Sequence, residues 1–252
     1  MRIVVTNCNT TQEMTEEIVQ GARAAAGPGT TVLGLTPAWG PESAEGWLDS
    51  YLSAAAVIDL LRTYEGPSYD AVVMAGFGEH GREGVRELTD APVVDITEAA
   101  AHLACLLGRR YGVVTTLERS CGQIEDSLEL AGVARNCAAV VGTGLGVLDL
   151  GDADRTEAAF LTAAERAREA GAEVLVLGCA GMTGLQRVVG QKLGLPVVDG
   201  VGAAVKLAES LVTLGLTTSR AGGYAKPVPK RREWGPGTPG GRDSGRPAPR
   251  PW

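Results

Sequence analysis

Cys179 stands near the end of EVLVLGCAGMTG (residues 173–184), an apolar run that closes in a small, Gly-containing turn. A second run, AVVMAGFGEHG (71–81), closes in the same kind of turn, and there the matching position is Gly76. A Gly-rich turn leading from a strand to a helix presents main-chain N–H groups, which favour a thiolate and can hold a carbonyl oxygen as it gains charge. Two such turns facing one bound molecule suit a paired proton transfer. One group removes a proton from carbon, the other returns a proton on the opposite face, and a stereocentre inverts without a cofactor. A thiol suits this work when dipoles lower its pKa from about 8.5. The hydroxyls of Thr10, Thr115, Thr116 and Thr183 are candidates to hold the carbonyl.

Only one of the two turns carries a thiol, so a second acid/base group must come from elsewhere. Glu79 and His80 follow Gly76 closely, and His has the better pKa for the task. Among the other cysteines, Cys105, Cys121 and Cys137 read as inert core, the usual state of a buried thiol. Cys8 is a weaker candidate for function, because it follows the first strand and can border a cleft there. His102 reads as a structural residue of a helix. Asp95 and Asp199 end equivalent strands, and bonding to turn N–H groups or touching substrate are equally open for them.

The elements that must position these residues alternate. Apolar runs at 2–6, 31–35, 71–75, 92–96, 111–115, 138–141, 173–177 and 196–198 read as strands. Helix-period stretches at 15–26, 43–63, 97–109, 117–131, 153–170 and 202–214 lie between them, with Thr97 as the expected N-cap of the third. Alternation of this kind specifies an α/β fold with a mostly parallel sheet covered on both faces. The chain also repeats itself: APVVDITEAAAHLA (91–104) resembles LPVVDGVGAAVKLA (195–208), and IVVTN (3–7) resembles GVVTT (112–116). The expectation is two similar Rossmann-like halves related by a pseudo-twofold axis, with the site in the cleft between them. Residues 1–100 with 200–215 form the first half and 101–199 the second, and 216–252 is a Pro/Gly/Arg-rich disordered tail. Ligands of open α/β sheets bind beyond the carboxyl ends of strands, which gathers the turns after Thr6, Ala75, Val114 and Leu177 around one cavity.

Composition narrows the classes of function. Of the net charge of −7, the segment 221–252 contributes +5, with seven basic against two acidic residues, so the body carries −12. An acidic body argues against nucleic acid as a partner. No apolar stretch is long enough to cross a bilayer, and the chain starts directly on a strand with no signal-peptide pattern. Five widely spaced cysteines fit reduced thiols in a cytoplasmic protein better than a disulfide framework or a zinc site. The glycine clusters match no dinucleotide or phosphate-loop pattern, so no nucleotide cofactor is expected.

Seven stretches taken in order carry a family resemblance: NCNTTQEMT (7–15), GPESAEG (40–46), AGFGEHG (75–81), PVVDITEAAAH (92–102), GVVTTLERS (112–120), VLGCAGM (176–182) and PVVDGVGAAVKLAESLV (196–212). Together they resemble the aspartate/glutamate/hydantoin racemase superfamily, most closely its hydantoin racemase branch. The resemblance implies two cysteines acting as paired acid and base, one in a CFGDPG-like turn and one in a GCAGM-like turn. Cys179 matches the second, whereas the first reads Gly76-Phe77-Gly78-Glu79-His80-Gly81 and lacks its thiol. A branch resembling arylmalonate decarboxylase has the same arrangement, one cysteine opposite a glycine, and its lone thiol protonates the enediolate left by CO₂ loss.

The resemblance therefore implies a PLP-independent racemase or epimerase with no cofactor or metal. Its substrate is a small molecule with an acidic Cα–H beside a carbonyl: a hydantoin, an allantoin-like ureide or an amino-acid derivative. Cys179 is one acid/base, and Glu79, His80 or an activated water is the other. Asn9, Thr10, Gly76, Phe77, Gly78, Thr115, Thr116, Gly178, Ala180 and Gly181 are the expected substrate-binding positions. A homo-oligomer is expected. The alternatives are a one-thiol lyase for malonate-type acids, in which Gly76 leaves room for the departing carboxylate, and a binding homologue that kept the pocket.

Overall fold

A computed structural model describes residues 1–151, 153–182, 185–230 and 232. Strands β1 (Arg2–Thr6), β2 (Thr31–Leu35), β3 (Ala71–Met74) and β4 (Val93–Asp95) form a parallel sheet in the order β2-β1-β3-β4. Strands β5 (Tyr111–Thr115), β6 (Cys137–Gly142), β7 (Val174–Leu177) and β8 (Val197–Asp199) form a second parallel sheet in the equivalent order, β6-β5-β7-β8. The central strands are Val-rich throughout because helices cover both faces, and β3, β5 and β7 are buried along their whole length. The helices are α1 (Gln12–Ala25), α2 (Trp47–Arg62), α3 (Arg82–Leu88), α4 (Ile96–Leu107), α5 (Cys121–Leu130), α6 (Ala153–Glu169), α7 (Gln186–Leu193) and α8 (Gly200–Thr213). The α/β class and the two similar halves are as the sequence implies. Of the helices, α3 and α7 are too short to show a clear apolar period.

In each sheet the chain winds outward in one direction from the first strand and in the other from the third. The carboxyl ends of β1 and β3, and of β5 and β7, are therefore the points where the winding reverses. Ladder register refines the internal repeat: Ile3 pairs with Ala71, and Tyr111 pairs with Val174. If β3 is equivalent to β7, Cys8 then corresponds to Thr116, one residue away from the match that IVVTN and GVVTT suggest.

The two halves exchange helices. Helix α4 follows β4 of the first sheet yet packs against β7 and β8 of the second, while α8 follows β8 and packs on β3 and β4. The division at residues 100 and 101 expected from the sequence thus falls inside α4. At the crossing of α4 and α8, a β-carbon on Gly200 would lie 3.0 Å from the Ile96 carbonyl oxygen, so the two helix starts meet in near contact.

The start of α4 differs from expectation. Asp95, not Thr97, is its N-cap: the Asp95 carboxylate accepts from the Thr97 and Glu98 N–H groups in a capping box closed by Glu98. Asp199 caps α8 in the same way, accepting from Gly202 N–H. Both aspartates therefore serve turn N–H groups. Freed from capping, Thr97 reaches back to the first turn, where its Oγ1 accepts from Gly78 N at 2.8 Å.

Residues 216–225, expected to begin the tail, lie along α3. Thr218 N–H donates to Asp90 O, the Arg220 guanidinium to the Arg86 and Glu87 carbonyls, and the Tyr224 hydroxyl to Glu83. The rest of the expected tail, apart from 226–230 and 232, lies outside the described residues. No helix among the described residues is long and apolar enough to cross a membrane.

Candidate active site

The carboxyl ends of β1, β3, β5 and β7 close on one cavity between the sheets. The first half contributes Cys8 and Asn9 after β1, and Gly76, Phe77 and His80 after β3. The second contributes Thr115 and Thr116 at the end of β5, and Gly178, Cys179 and Ala180 after β7. Nine of the expected site residues thus reach one cavity: Asn9, Gly76, Phe77, His80, Thr115, Thr116, Gly178, Cys179 and Ala180. Thr10, Gly78, Glu79 and Gly181 do not line it, and Thr183 lies outside the described residues.

The NCNTT segment after β1 is rigid for a local reason. Asn7 and Asn9, both buried, brace each other: Asn7 Nδ2 donates to Asn9 Oδ1 at 2.8 Å, and Asn7 Oδ1 accepts from Asn9 N–H. Asn7 Nδ2 also donates to Thr15 Oγ1 on α1, and Asn9 Oδ1 accepts from Thr11 N–H. Side chains that bond to the main chain two residues on are the usual way Asn fixes a turn. Cys8 is pinned between them. The Asn9 amide is thereby committed to the turn, and the Thr10 hydroxyl donates to Pro41 O.

The turn after β3 needs its glycines. Gly78 (φ +119°) and Gly81 (φ +94°) are both in the left-handed region. Gly76 is glycine for want of space: a β-carbon there would lie 2.4 Å from His80 Cδ2, 2.7 Å from Cys8 Cβ and 2.9 Å from Cys8 Sγ. The room expected beside Gly76 for a departing carboxylate is filled by these two side chains.

Glu79 faces away from the cavity as a cap. Its Oε1 accepts from Gly81 N–H at 2.7 Å and Arg82 N–H at 3.0 Å, and Arg82 lies beside the other oxygen. His80 is 3% exposed; its Nε2 donates to Phe77 O at 3.3 Å, and its buried Nδ1 has no partner among the described residues. Burial lowers its pKa to about 4, so the ring is neutral near pH 7.

After β7, a short 3-10 turn (Ala180–Met182) follows Cys179, and α7 begins only at Gln186. The lowered thiol expected at this turn is not what the geometry produces. Burial raises Cys179 to about 11; Gly181 N–H opposes the rise, and nearby Glu45 adds to it. One turn N–H facing the sulfur does not offset removal from water. Thr115 Oγ1 donates to Gly178 O at 3.0 Å and is committed to the turn, whereas Thr116 lines the cavity and its hydroxyl makes no such bond among the described residues. Met14, Ser120 and Gln123 also line the cavity. Sequence reasoning missed these three because they sit in or beside helices whose face toward the cleft is set by tertiary packing.

Comparison with known proteins agrees with this architecture. The sequence model of the Asp/Glu/Hydantoin racemase family matches residues 3–208. The chain is 37% identical to the hydantoin racemase of Paenarthrobacter aurescens over 234 residues, 92% of this chain and 99% of that protein. Allantoin racemase from Pseudomonas fluorescens superposes with a TM-score of 0.90 at 53% identity, covering 92% of this chain and 100% of that one. Arylmalonate decarboxylase, at 20% identity and a TM-score of 0.60 over 89% of this chain and 97% of its own, shares the fold.

Proposed function

The chain belongs to the Asp/Glu/hydantoin racemase family and is by that membership an isomerase; from this premise we propose that it racemises a cyclic ureide, allantoin or a 5-substituted hydantoin, with Cys179 as an acid/base group. One observation carries the reading: Cys179 lies at the carboxyl end of β7, on a cavity closed from the other side by the β1 and β3 turns. A flat molecule held there presents one face to each half. Proton removal at its Cα sends charge to the neighbouring carbonyl oxygen. The Thr116 hydroxyl, uncommitted in the cavity wall, is suited to receive that charge. The likeness to allantoin racemase supports the substrate class.

The decarboxylase alternative needs open space beside Gly76, where Cys8 and His80 stand. In the same reading the protein is a cytoplasmic homo-oligomer, supported by the free thiols and by Trp47, Leu48, Tyr51 and Leu52 exposed together on α2. The test is proton NMR in D₂O on single enantiomers of allantoin and of a 5-substituted hydantoin, with an arylmalonate alongside. The expected result is α-deuteration with loss of optical activity, and the rate of racemisation should fall at least about a hundredfold in Cys179→Ser. Release of CO₂ from the malonate without exchange of the ureides would replace the racemase reading with the lyase one.

A further inference from the structure

We propose that Cys8 is the second acid/base group of this site, a thiol supplied by the β1 turn in place of the one missing from the β3 turn. The proposal rests on the racemase reading above and names its opposite base. Its first support is position. Cys8 Sγ lies 2.9 Å from the place a β-carbon of residue 76 would take, so its sulfur fills the volume that a side chain at 76 would fill. It belongs to the first sheet while Cys179 belongs to the second, and both line the one cavity. Its second support is preorganisation. Asn7 and Asn9 fix the main chain on either side, and the residue is nine-tenths buried. Among the described residues, no neighbouring side chain hydrogen-bonds its sulfur.

The rival groups are engaged elsewhere. Glu79 is spent on the N–H groups of Gly81 and Arg82. The His80 ring, with its Nε2 donating to Phe77 O, packs with Cys8 against Gly76 and is lowered by burial to a pKa of about 4, a weak base near pH 7. The two thiols also sense each other: a negative Cys179 makes Cys8 harder to ionise. Coupling of this kind resists the doubly ionised state, so once one thiol ionises the other keeps its proton, as racemisation requires.

The step balances without a further reactant. One thiolate takes the α-proton, forming S–H while the C–H electron pair moves into the enolate. The opposite thiol gives its proton to the other face of that carbon, re-forming C–H and leaving a thiolate. The enzyme ends with its protonation states exchanged, ready for the other enantiomer, and solvent exchange restores the first state.

Cys8→Ala and the nearly isosteric Cys8→Ser separate the outcomes, with thermal melting to confirm that each is folded. Racemisation of allantoin, followed by circular dichroism, is expected to fall at least about a hundredfold in both. Exchange of the α-proton with D₂O should survive for one enantiomer only, with its configuration retained, and Cys179→Ala should retain exchange of the other. Folded Cys8 variants that racemise within about threefold of the wild type, or that exchange both enantiomers, would overturn the assignment while leaving the racemase reading intact. Wild-type protein inert toward allantoin and hydantoins alike would remove the racemase reading and this proposal with it.

Discussion

A buried thiol becomes a base only after losing a proton that burial helps it keep. Both cavity cysteines show that resistance, Cys179 raised to about 11 and Cys8 to about 12, with Glu45 and Asp95 adding negative charge nearby. The free protein near neutral pH is therefore mostly dithiol, and its reactive monothiolate grows with pH. kcat/KM for the ureide should climb about tenfold per pH unit between roughly pH 7 and 9. A profile flat across that range would mean that the proton acceptor is not one of these thiols. His80 titrates the other way. Its pKa falls from 6.5 to about 4 on folding, so the unfolded chain binds the extra proton first as pH drops. The stability its neutral ring allows is present above 6.5 and drains away as pH falls toward 4. Replacing His80 by Gln should flatten the loss of stability over that window, read by urea unfolding at several pH values. An unchanged slope would place the acid sensitivity elsewhere. That Cys179 reaches the cavity was legible from its turn, the internal repeat and the family motif together. That Cys8 and His80 fill the place of a residue-76 side chain was not, because sequence spacing carries no information about which turns meet across a switch point.

At the scale of single elements, the two PVVD strands look interchangeable in sequence, yet their aspartates work under different loads. Asp95 and Asp199 both cap the helix that follows, which is worth about 1 kcal/mol at either position. Asp95 also lies 3.6 Å from the guanidinium of Arg82, a fully buried cation that holds Glu79, Glu83 and Glu98 around it. Removing one partner of a buried ionic cluster costs far more than losing a cap. Asp95→Ala should therefore destabilise by about 3 kcal/mol and Asp199→Ala by about 1, measured by chemical denaturation. Equal losses would show that Arg82 is satisfied by its glutamates alone. The repeat made the strands and their helices readable. The load on Asp95 was hidden because Arg82 comes from α3, a short helix without a clear apolar period.

Across the whole molecule, the exchange of α4 and α8 makes the halves one body, and the point where those helices cross sets how the two sheets face each other. Equivalent positions there are occupied unequally, Ile96 from one half and Gly200 from the other. Two large side chains would not fit: even a methyl on Gly200 would meet the Ile96 carbonyl oxygen at 3.0 Å and Ile96 Cβ at 3.1 Å. One of these neighbours is main chain and cannot swing aside, so relief requires the helices to part. Gly200→Val should cost about 1–3 kcal/mol through this overpacking. It should also lower kcat/KM, because spreading the crossing widens the cavity that Cys8 and Cys179 both line. Gly122→Ala is the control: a β-carbon there meets nothing within 4 Å, and alanine in helix α5 should leave stability unchanged or raised by up to about 1 kcal/mol. If Gly200→Val loses stability but keeps full activity, the crossing holds the halves together without setting the distance between the thiols. Loss of both in proportion would make this contact the structural origin of the site's spacing.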